Sequence, residues 1–246
     1  MLSPSEASAA EEANGRPLIS VVIPTYREAA NMPALVERID RVRLAHGLRL
    51  ELIVVDDDSR DGIEEFFRAS SHDWIHLIIR KGRRDLSGAV TEGMRQARGD
   101  MLVVMDADLS HPPEVLPQLV RGLEDGYDFA IGSRYVPGGS IGGPWSVWRR
   151  INSRMATLMA RPLTAIQDPM SGFFALRRRT FLRADPLDPV GFKIGLELMT
   201  KCRCRKVLEV PICFSERQFG ESKLTFRQNL RYVQHLCRLL VYKCFR

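Results

Sequence analysis

The stretch Met101-Leu102-Val103-Val104-Met105-Asp106-Ala107-Asp108-Leu109-Ser110-His111-Pro112-Pro113 decides the fold. Its apolar residues run without alternation and then stop at two carboxylates one residue apart. A short unbroken apolar run is the pattern of a strand buried on both faces, in a parallel sheet covered by helices. The same pattern recurs on either side. Leu18–Ile23, Leu50–Asp56, Ile75–Ile79 and Asp128–Gly132 read as further strands, separated by helical stretches near 33–46, 61–70, 86–98 and 113–124. This rhythm predicts an α/β domain with a mainly parallel central sheet flanked by helices. No Gly-x-Gly-x-x-Gly follows the first strand and no P-loop appears, which argues against a dinucleotide fold and a P-loop nucleotidase.

Composition narrows the function classes. The 246 residues are 45% hydrophobic and 27% charged, ordinary globular usage that excludes a disordered, collagen-like or disulfide-scaffold chain. No apolar run is long enough to span a bilayer as a helix. Residues 1–17 are polar, lack a signal-peptide pattern and read as a disordered tail. Lys and Arg number 36 against 30 Asp and Glu, and the net +6 is concentrated at one end. Lys223, Arg227, Arg231, Arg238, Lys243 and Arg246 close the chain with no acid among them, leaving residues 1–222 formally neutral. A globally basic nucleic-acid binder does not look like this, so no nucleic-acid partner is expected. Cys202, Cys204, Cys213, Cys237 and Cys244 show no metal-ligand spacing and read as reduced thiols.

Ligands of open α/β sheets bind at the carboxyl ends of the strands. After the first strand stands Pro24-Thr25-Tyr26-Arg27-Glu28, where Tyr26 either stacks on a base or packs on the surface. After the second stands Asp56-Asp57-Asp58-Ser59-Arg60-Asp61-Gly62, a turn before a helix and also a source of carboxylates for a nucleobase or ribose hydroxyl. After the fourth, Asp106 and Asp108 are hard oxygen ligands suited to Mg²⁺ or Mn²⁺, whose charge relieves their repulsion. The competing reading has Asp108 or Ser110 capping the helix that Pro112-Pro113 opens. After the fifth come Ser133-Arg134-Tyr135 and the glycine-rich segment 138–143. Residues 144–246 lose the βα rhythm: a helix near 145–160 carries Trp145, Trp148, Met155, Leu158 and Met159, then Asp168-Pro169-Met170-Ser171-Gly172, a short strand Val207–Val210 and a final helix. The expected organisation is one catalytic domain over 18–225 and a basic amphipathic helix over 226–246.

Pro24-Thr25-Tyr26-x-Glu28, the Asp56–Gly62 run, Asp106-Ala107-Asp108-Leu109-Ser110-His111-Pro112-Pro113-Glu114, Gly132-Ser133-Arg134-Tyr135 and Arg217-x-x-Gly220-Glu221-Ser222-Lys223 occur in that order. Together they resemble the family-2 glycosyltransferases of GT-A fold, in particular the polyprenol-phosphate (dolichol-phosphate) mannosyltransferases. The resemblance covers residues 18–225. It implies that Pro24, Tyr26, Glu28 and Asp57 hold the nucleoside of GDP-mannose, and that Asp106 and Asp108 bind the Mg²⁺ or Mn²⁺ bridging the diphosphate, with Ala107 and Ser110 beside them. It implies that Arg134, Arg149, Arg217 and Lys223 contact the phosphates of donor and acceptor, with Ser222 supplying a hydroxyl and Lys193 a further cation. Ser110 stands where relatives often place Gln, so its shorter side chain is expected to act through water. The basic loop Lys81-Gly82-Arg83-Arg84 has no assigned role, and Asp168 either orients the acceptor loop or starts a turn.

A lipid phosphate has a second pKa near 6 and is largely dianionic at neutral pH, so it needs no general base. With the donor and acceptor that the resemblance implies, the expected reaction is in-line, inverting transfer of mannose to a polyprenol (dolichol-type) phosphate. Phe226, Leu230, Val233, Cys237, Leu240 and Cys244 share one face of the last helix, flanked by Arg227, Arg231 and Arg238. That face lies either on an anionic leaflet or against the core. The former implies a peripheral protein at the cytoplasmic face of a membrane, with room for a small membrane-anchoring subunit. The competing functions are the same fold with UDP-glucose or another nucleotide sugar, and a non-catalytic nucleotide-binding subunit. The latter is expected to have lost the Asp-x-Asp pair, which is intact here.

Overall fold

The computed structural model describes residues 15–70, 72–143, 147–188, 193–215 and 226–245, with backbone only for 147–150 and 226–230. In chain order the elements are β1 (Ile19–Thr25), α1 (Met32–Ala45), β2 (Leu50–Asp56), α2 (Ile63–Ala69), β3 (Ile75–Ile79), α3 (Leu86–Gln96), β4 (Met101–Val104), α4 (Leu116–Glu124) and β5 (Phe129–Ser133). There follow β6 (Ser140–Ile141), α5 (Val147–Ala160), β7 (Phe174–Arg177), α6 (Arg178–Leu182), α7 (Ile194–Lys201), β8 (Val207–Pro211), β9 (Cys213–Phe214) and α8 (Phe226–Cys244).

Seven strands form one sheet in the order β3-β2-β1-β4-β7-β5-β8, and β6 pairs with β9 in a small ribbon. All pairings in the large sheet are parallel except those of β7, which runs antiparallel between β4 and β5. The first five strands lie within two residues of their expected bounds at each end. Strand β7 was not expected, and it converts a parallel sheet into a mixed one.

Alternate residues of each central strand feed two separate cores. Val21 and Ile23 of β1 pack with Leu35 and Ile39 of α1 and Leu116 and Leu119 of α4. Val22 and Val55 pack on the opposite face with Val90 and Met94 of α3, and that core extends through α7 to Leu236 and Leu239 of α8. Gly93 lets α3 lie close to the sheet, because a Cβ there would sit 2.5 Å from Val22 Cγ1 and 2.9 Å from Val55 Cγ2.

Helix α8 packs on the core with one face and leaves the other exposed. Tyr232, His235, Leu236 and Leu239 turn inward, while Val233, Cys237 and Val241 are exposed. One of its charges, Arg238, meets an acid that the sequence did not suggest. Arg238 Nη1 lies 2.7 Å from Asp188 Oδ2, and Lys243 Nζ donates to the carbonyls of Pro162 and Leu163. The acids that meet this helix come from a distant segment, so local charge counting did not reveal them. At the other end, Arg16 donates to the carbonyls of His46 and Gly47, so residues 16 and 17 of the expected tail are tied to the body. All five cysteines are unbridged.

The amino ends of the strands are held by one buried carboxylate. Glu51 accepts from Ser20 Oγ at 2.6 Å, Arg98 N at 2.7 Å and Arg98 Nε at 2.8 Å. Burial pushes its pKa up, but the hydrogen bonds from Ser20 and Arg98 outweigh it and hold the carboxyl below the usual range. Glu51 therefore contributes stability above the ordinary glutamate pKa that is lost as pH falls through the lowered folded value. Glu51→Ala is expected to cost about 2–3 kcal/mol in urea unfolding at pH 7, because it strands the Ser20 hydroxyl and the Arg98 amide. The difference from wild type shrinks towards acid pH.

Candidate active site

Strands β1 and β2 end in register, with Thr25 opposite Asp56. Buried Asp56 accepts from Thr25 Oγ1 at 3.0 Å and from the Ser59 amide at 2.7 Å, and also from the Ser59 hydroxyl. Asp61 Oδ2 accepts from the Ala29 amide at 2.9 Å. These two acids are the turn formers that weld the β1 and β2 loops. Asp58, in the left-handed region at φ 51°, pairs with Arg60 near the surface.

Asp57 is the acid of this run that meets the loop after β3. It is buried, its Oδ2 accepts from the Asp85 amide at 3.0 Å, and its Oδ1 lies 3.0 Å from Arg80 Nε. Burial raises its pKa, and the opposing pull of Arg80 does not cancel the effect. The basic loop after β3 now has defined partners. Arg80 serves Asp57 and Asp85, whereas Arg84 lies over the Tyr26 ring, 4.4 Å from its centroid, and donates to the Tyr26 hydroxyl. Arg27 also lies over this ring, 5.4 Å from its centroid, so two guanidinium groups share Tyr26 at this edge. Pro24 lies within β1, and the Glu28 carboxylate accepts from Asn31 Nδ2.

Past β4, the chain turns through Leu109 at φ 62°, which sets Asp106 and Asp108 in one loop. Asp108 is 4% exposed, and its Oδ1 accepts from both the amide and the hydroxyl of Ser110. Ser110 is itself fully buried. Its hydroxyl is spent on orienting Asp108, which differs from the water-mediated reach expected of it. Ala107 is buried between the two acids. The Asp106 amide donates to His111 Nδ1 at 3.1 Å. His111 is buried, and that burial lowers its pKa in spite of the nearby Asp106 and Asp108. Two carboxylates with oxygen donors only fit Mg²⁺ or Mn²⁺ completed by phosphate oxygens and water. Among the described residues no set of three His, Cys, Asp or Glu side chains makes a complete protein cage.

Arg134, expected to be a phosphate contact, forms a buried bidentate pair. Its Nε and Nη2 each lie 2.7 Å from an oxygen of Asp168, and its amide donates to Asp168 Oδ2 at 3.0 Å. Asp168 is fully buried, and its own amide donates to Glu209 Oε1 at 3.0 Å. Burial works against the guanidinium charge, but the Asp168 hydrogen bonds prevail and raise the Arg134 pKa. Asp168 is therefore an anchor for Arg134. Lys193 precedes α7 and donates to the Met170 carbonyl at 3.3 Å. Burial, then the Arg134 charge, lowers its pKa to about 8, against the pull of Asp168 and Asp106.

Beside this cluster is a pocket of about 310 Å³ lined by Arg134, Tyr135, Ile141 and Arg154. Tyr135 is steadied by a 2.7 Å hydrogen bond between its hydroxyl and Ser153. Arg154 was not singled out in the sequence, although Arg150 and Arg154 share a helical face. Of the expected site, the structure brings Tyr26, Glu28 and Asp57 to one edge, and Asp106, Asp108, Arg134 and Lys193 to the next strand ends. The Arg149 side chain and Arg217, Ser222 and Lys223 lie outside the described residues, as do Trp145 and the Trp148 side chain.

Residues 20–184 match the model of Glycosyl transferase family 2. The chain belongs to that family. This glycosyltransferase is 44% identical over 227 residues to the dolichol-phosphate mannosyltransferase of Pyrococcus furiosus, covering 90% of this chain and 63% of the archaeal one. It is 42% identical over 234 residues to the Saccharomyces cerevisiae dolichol-phosphate mannosyltransferase, covering 91% and 87% of the two chains. It is 36% identical over 218 residues to the polyprenol monophosphomannose synthase of Mycolicibacterium smegmatis, covering 83% and 80%. Among solved structures, glucosyl-3-phosphoglycerate synthase from Mycobacterium tuberculosis, in complex with Mn²⁺, UDP and phosphoglyceric acid, superimposes with a TM-score of 0.69. That match has 22% identity and covers 95% of this chain and 81% of the other, a likeness of fold.

Asp168→Ala is expected to cost about 3–5 kcal/mol in equilibrium unfolding, because it leaves the Arg134 guanidinium buried without its counter-ion. A loss below about 1 kcal/mol would contradict the anchoring role.

Proposed function

We propose that this family-2 glycosyltransferase transfers mannose from GDP-mannose to a polyprenyl phosphate, with Mg²⁺ or Mn²⁺ held by Asp106 and Asp108. The observation that carries the reading is the juxtaposition at one sheet edge. Asp106, one of a pair of oxygen-only carboxylates, stands within electrostatic reach of Lys193 and of Arg134, which walls a pocket together with Arg154. One anionic diphosphate and one anionic acceptor need this combination of charges. The names of the 40–44% identical relatives supply the sugar and the acceptor class.

The divalent cation, when bound, supplies Lewis-acid stabilisation of the leaving diphosphate. The protein's own groups do the rest by position. Tyr26 offers a face and Asp57 a carboxylate to the nucleoside, while Lys193 offsets diphosphate charge. Arg134, held rigid by Asp168, and Arg154 hold the acceptor phosphate against its repulsion from the donor. An acceptor phosphate oxygen forms the bond to mannose C1 as the C1–O bond to GDP breaks on the opposite face. The anomeric configuration inverts to a β-mannosyl phospholipid. No proton moves in that step, which fits the placement of His111 out of solvent.

The acceptor's lipid chain requires a membrane-facing surface. Among the described residues no helix is long and apolar enough to cross a membrane. Ile151, Met155, Leu158 and Met159 form an exposed stripe on α5, and Val233 and Val241 one on the adjoining α8, where the Tyr232 hydroxyl donates to the Ala156 carbonyl. These stripes fit a peripheral seat on the leaflet that holds the acceptor, at the cytoplasmic face.

The test is transfer of labelled mannose from GDP-mannose to polyprenyl phosphate. Label is expected in the lipid phase with Mn²⁺ or Mg²⁺, lost with EDTA and in Asp108→Ala, and reduced about 10–100-fold in Arg154→Ala. Met155→Glu with Leu158→Glu is expected to slow transfer on vesicles and spare transfer to a short-chain acceptor in detergent. Transfer from UDP-glucose in place of GDP-mannose would overturn the donor.

The pH profile gives a second check. Lys193 loses its charge as pH rises through about 8, so kcat/KM for the donor is expected to fall there. Lys193→Arg keeps the cation at all working pH and is expected to abolish that basic limb.

A further inference from the structure

The two carboxylates of the Asp-x-Asp loop are held differently. Asp108 is fixed through its side chain by Ser110. Asp106 is fixed through its backbone. The ladder of β4 against β1 ends with the Met105 amide donating to the Val22 carbonyl at 3.2 Å. The next amide, that of Asp106, donates to His111 Nδ1 at 3.1 Å.

The imidazole that accepts this bond has little room to move. It is 2% exposed, stacked on Phe173 with centroids 5.3 Å apart at 25°, and met edge-on by Phe214 at 5.4 Å and 70°. Pro112 and Pro113 follow it and stiffen the backbone. Gly172 lies against both the Asp106 carboxylate and the ring. A Cβ there would lie 3.1 and 3.3 Å from the Asp106 oxygens and 3.4 Å from His111 Cε1. The ring is therefore a wedge between the Asp-x-Asp loop and the loop that leads into β7. An Nδ1 that accepts carries no proton, so the ring is the neutral tautomer protonated on Nε2.

We propose that His111 is a positioning residue of the cation–diphosphate site: a neutral imidazole whose Nδ1 fixes the Asp106 backbone and so sets the spacing of the Asp106 and Asp108 carboxylates. It touches neither sugar nor phosphate and acts through Asp106. The inference rests on the proposed use of that pair by a divalent cation with a nucleoside diphosphate. Groups that orient metal ligands from behind typically matter about 10–100-fold in metal affinity.

The test exploits where two amides place their acceptor oxygens. His111→Asn puts one near the former Nδ1, and His111→Gln puts one near the former Nε2. Both are polar and smaller than the ring, so both relieve packing to a similar degree. The full chain is titrated with Mn²⁺ in the presence of GDP, following bound Mn²⁺ by electron paramagnetic resonance. His111→Gln and His111→Ala are expected to bind about 10–100-fold more weakly than wild type, and His111→Asn within about threefold. Circular dichroism and urea unfolding of each variant separate this effect from loss of fold. Equal Mn²⁺ affinity in the Asn and Gln variants would overturn the proposal, as would ¹⁵N spectra placing the ring proton on Nδ1. Failure of wild type to bind Mn²⁺ with GDP would instead overturn the functional reading beneath it.

Discussion

Carboxylates crowded onto one edge of a sheet repel each other, and the whole active edge is arranged around that repulsion. Each acid that is buried there has its own donor. Asp56 has Thr25 and Ser59, Asp57 has Arg80 and the Asp85 amide, Asp108 has Ser110, and Asp168 has Arg134. Asp106 keeps 30% of its side chain exposed. On the proposed reading, the pair Asp106 and Asp108 receives an added positive charge. In the proposed function a divalent cation supplies it, offsetting the two carboxylates, and the diphosphate's own charge falls to Lys193 and Arg134.

The antiparallel strand β7 makes this arrangement possible. By entering between β4 and β5 it brings the 168–174 loop to the same edge as the parallel strand ends. That loop carries Asp168, which locks Arg134, and Gly172 and Phe173, which enclose Asp106 and His111. The first half of the chain supplies the acidic strand ends, and the second half supplies the wall that orders them. Helix α7 then presents Lys193 to the cluster, and α8 covers α7 from outside.

Much of the first half was legible in the sequence because each strand is a continuous apolar run ended by polar residues, and each helix between them has a clear apolar stripe. Strand β7 was not legible. Phe174–Arg177 is only four residues, too short for a period to show, and it is defined by pairing with strands distant in the chain. The site divides in the same way. Asp106 and Asp108 declare themselves by their spacing after a buried strand. Arg134 does not declare Asp168, because a buried ion pair between residues 34 apart leaves no local pattern. Ser110 was expected to reach the ligand through water because it stands where relatives often place Gln, yet hydrogen-bond geometry turns it back onto Asp108. His111 owes its proposed role to Phe173 and Phe214, which come from elements well beyond its own loop.

The most direct measurement is anomalous diffraction at the manganese edge from crystals grown with Mn²⁺ and GDP. The account predicts one strong peak about 2 Å from carboxylate oxygens of both Asp106 and Asp108, sharing oxygens of the GDP diphosphate. GDP seated at the β1 and β2 edge without that peak, or a peak coordinated elsewhere, would contradict it.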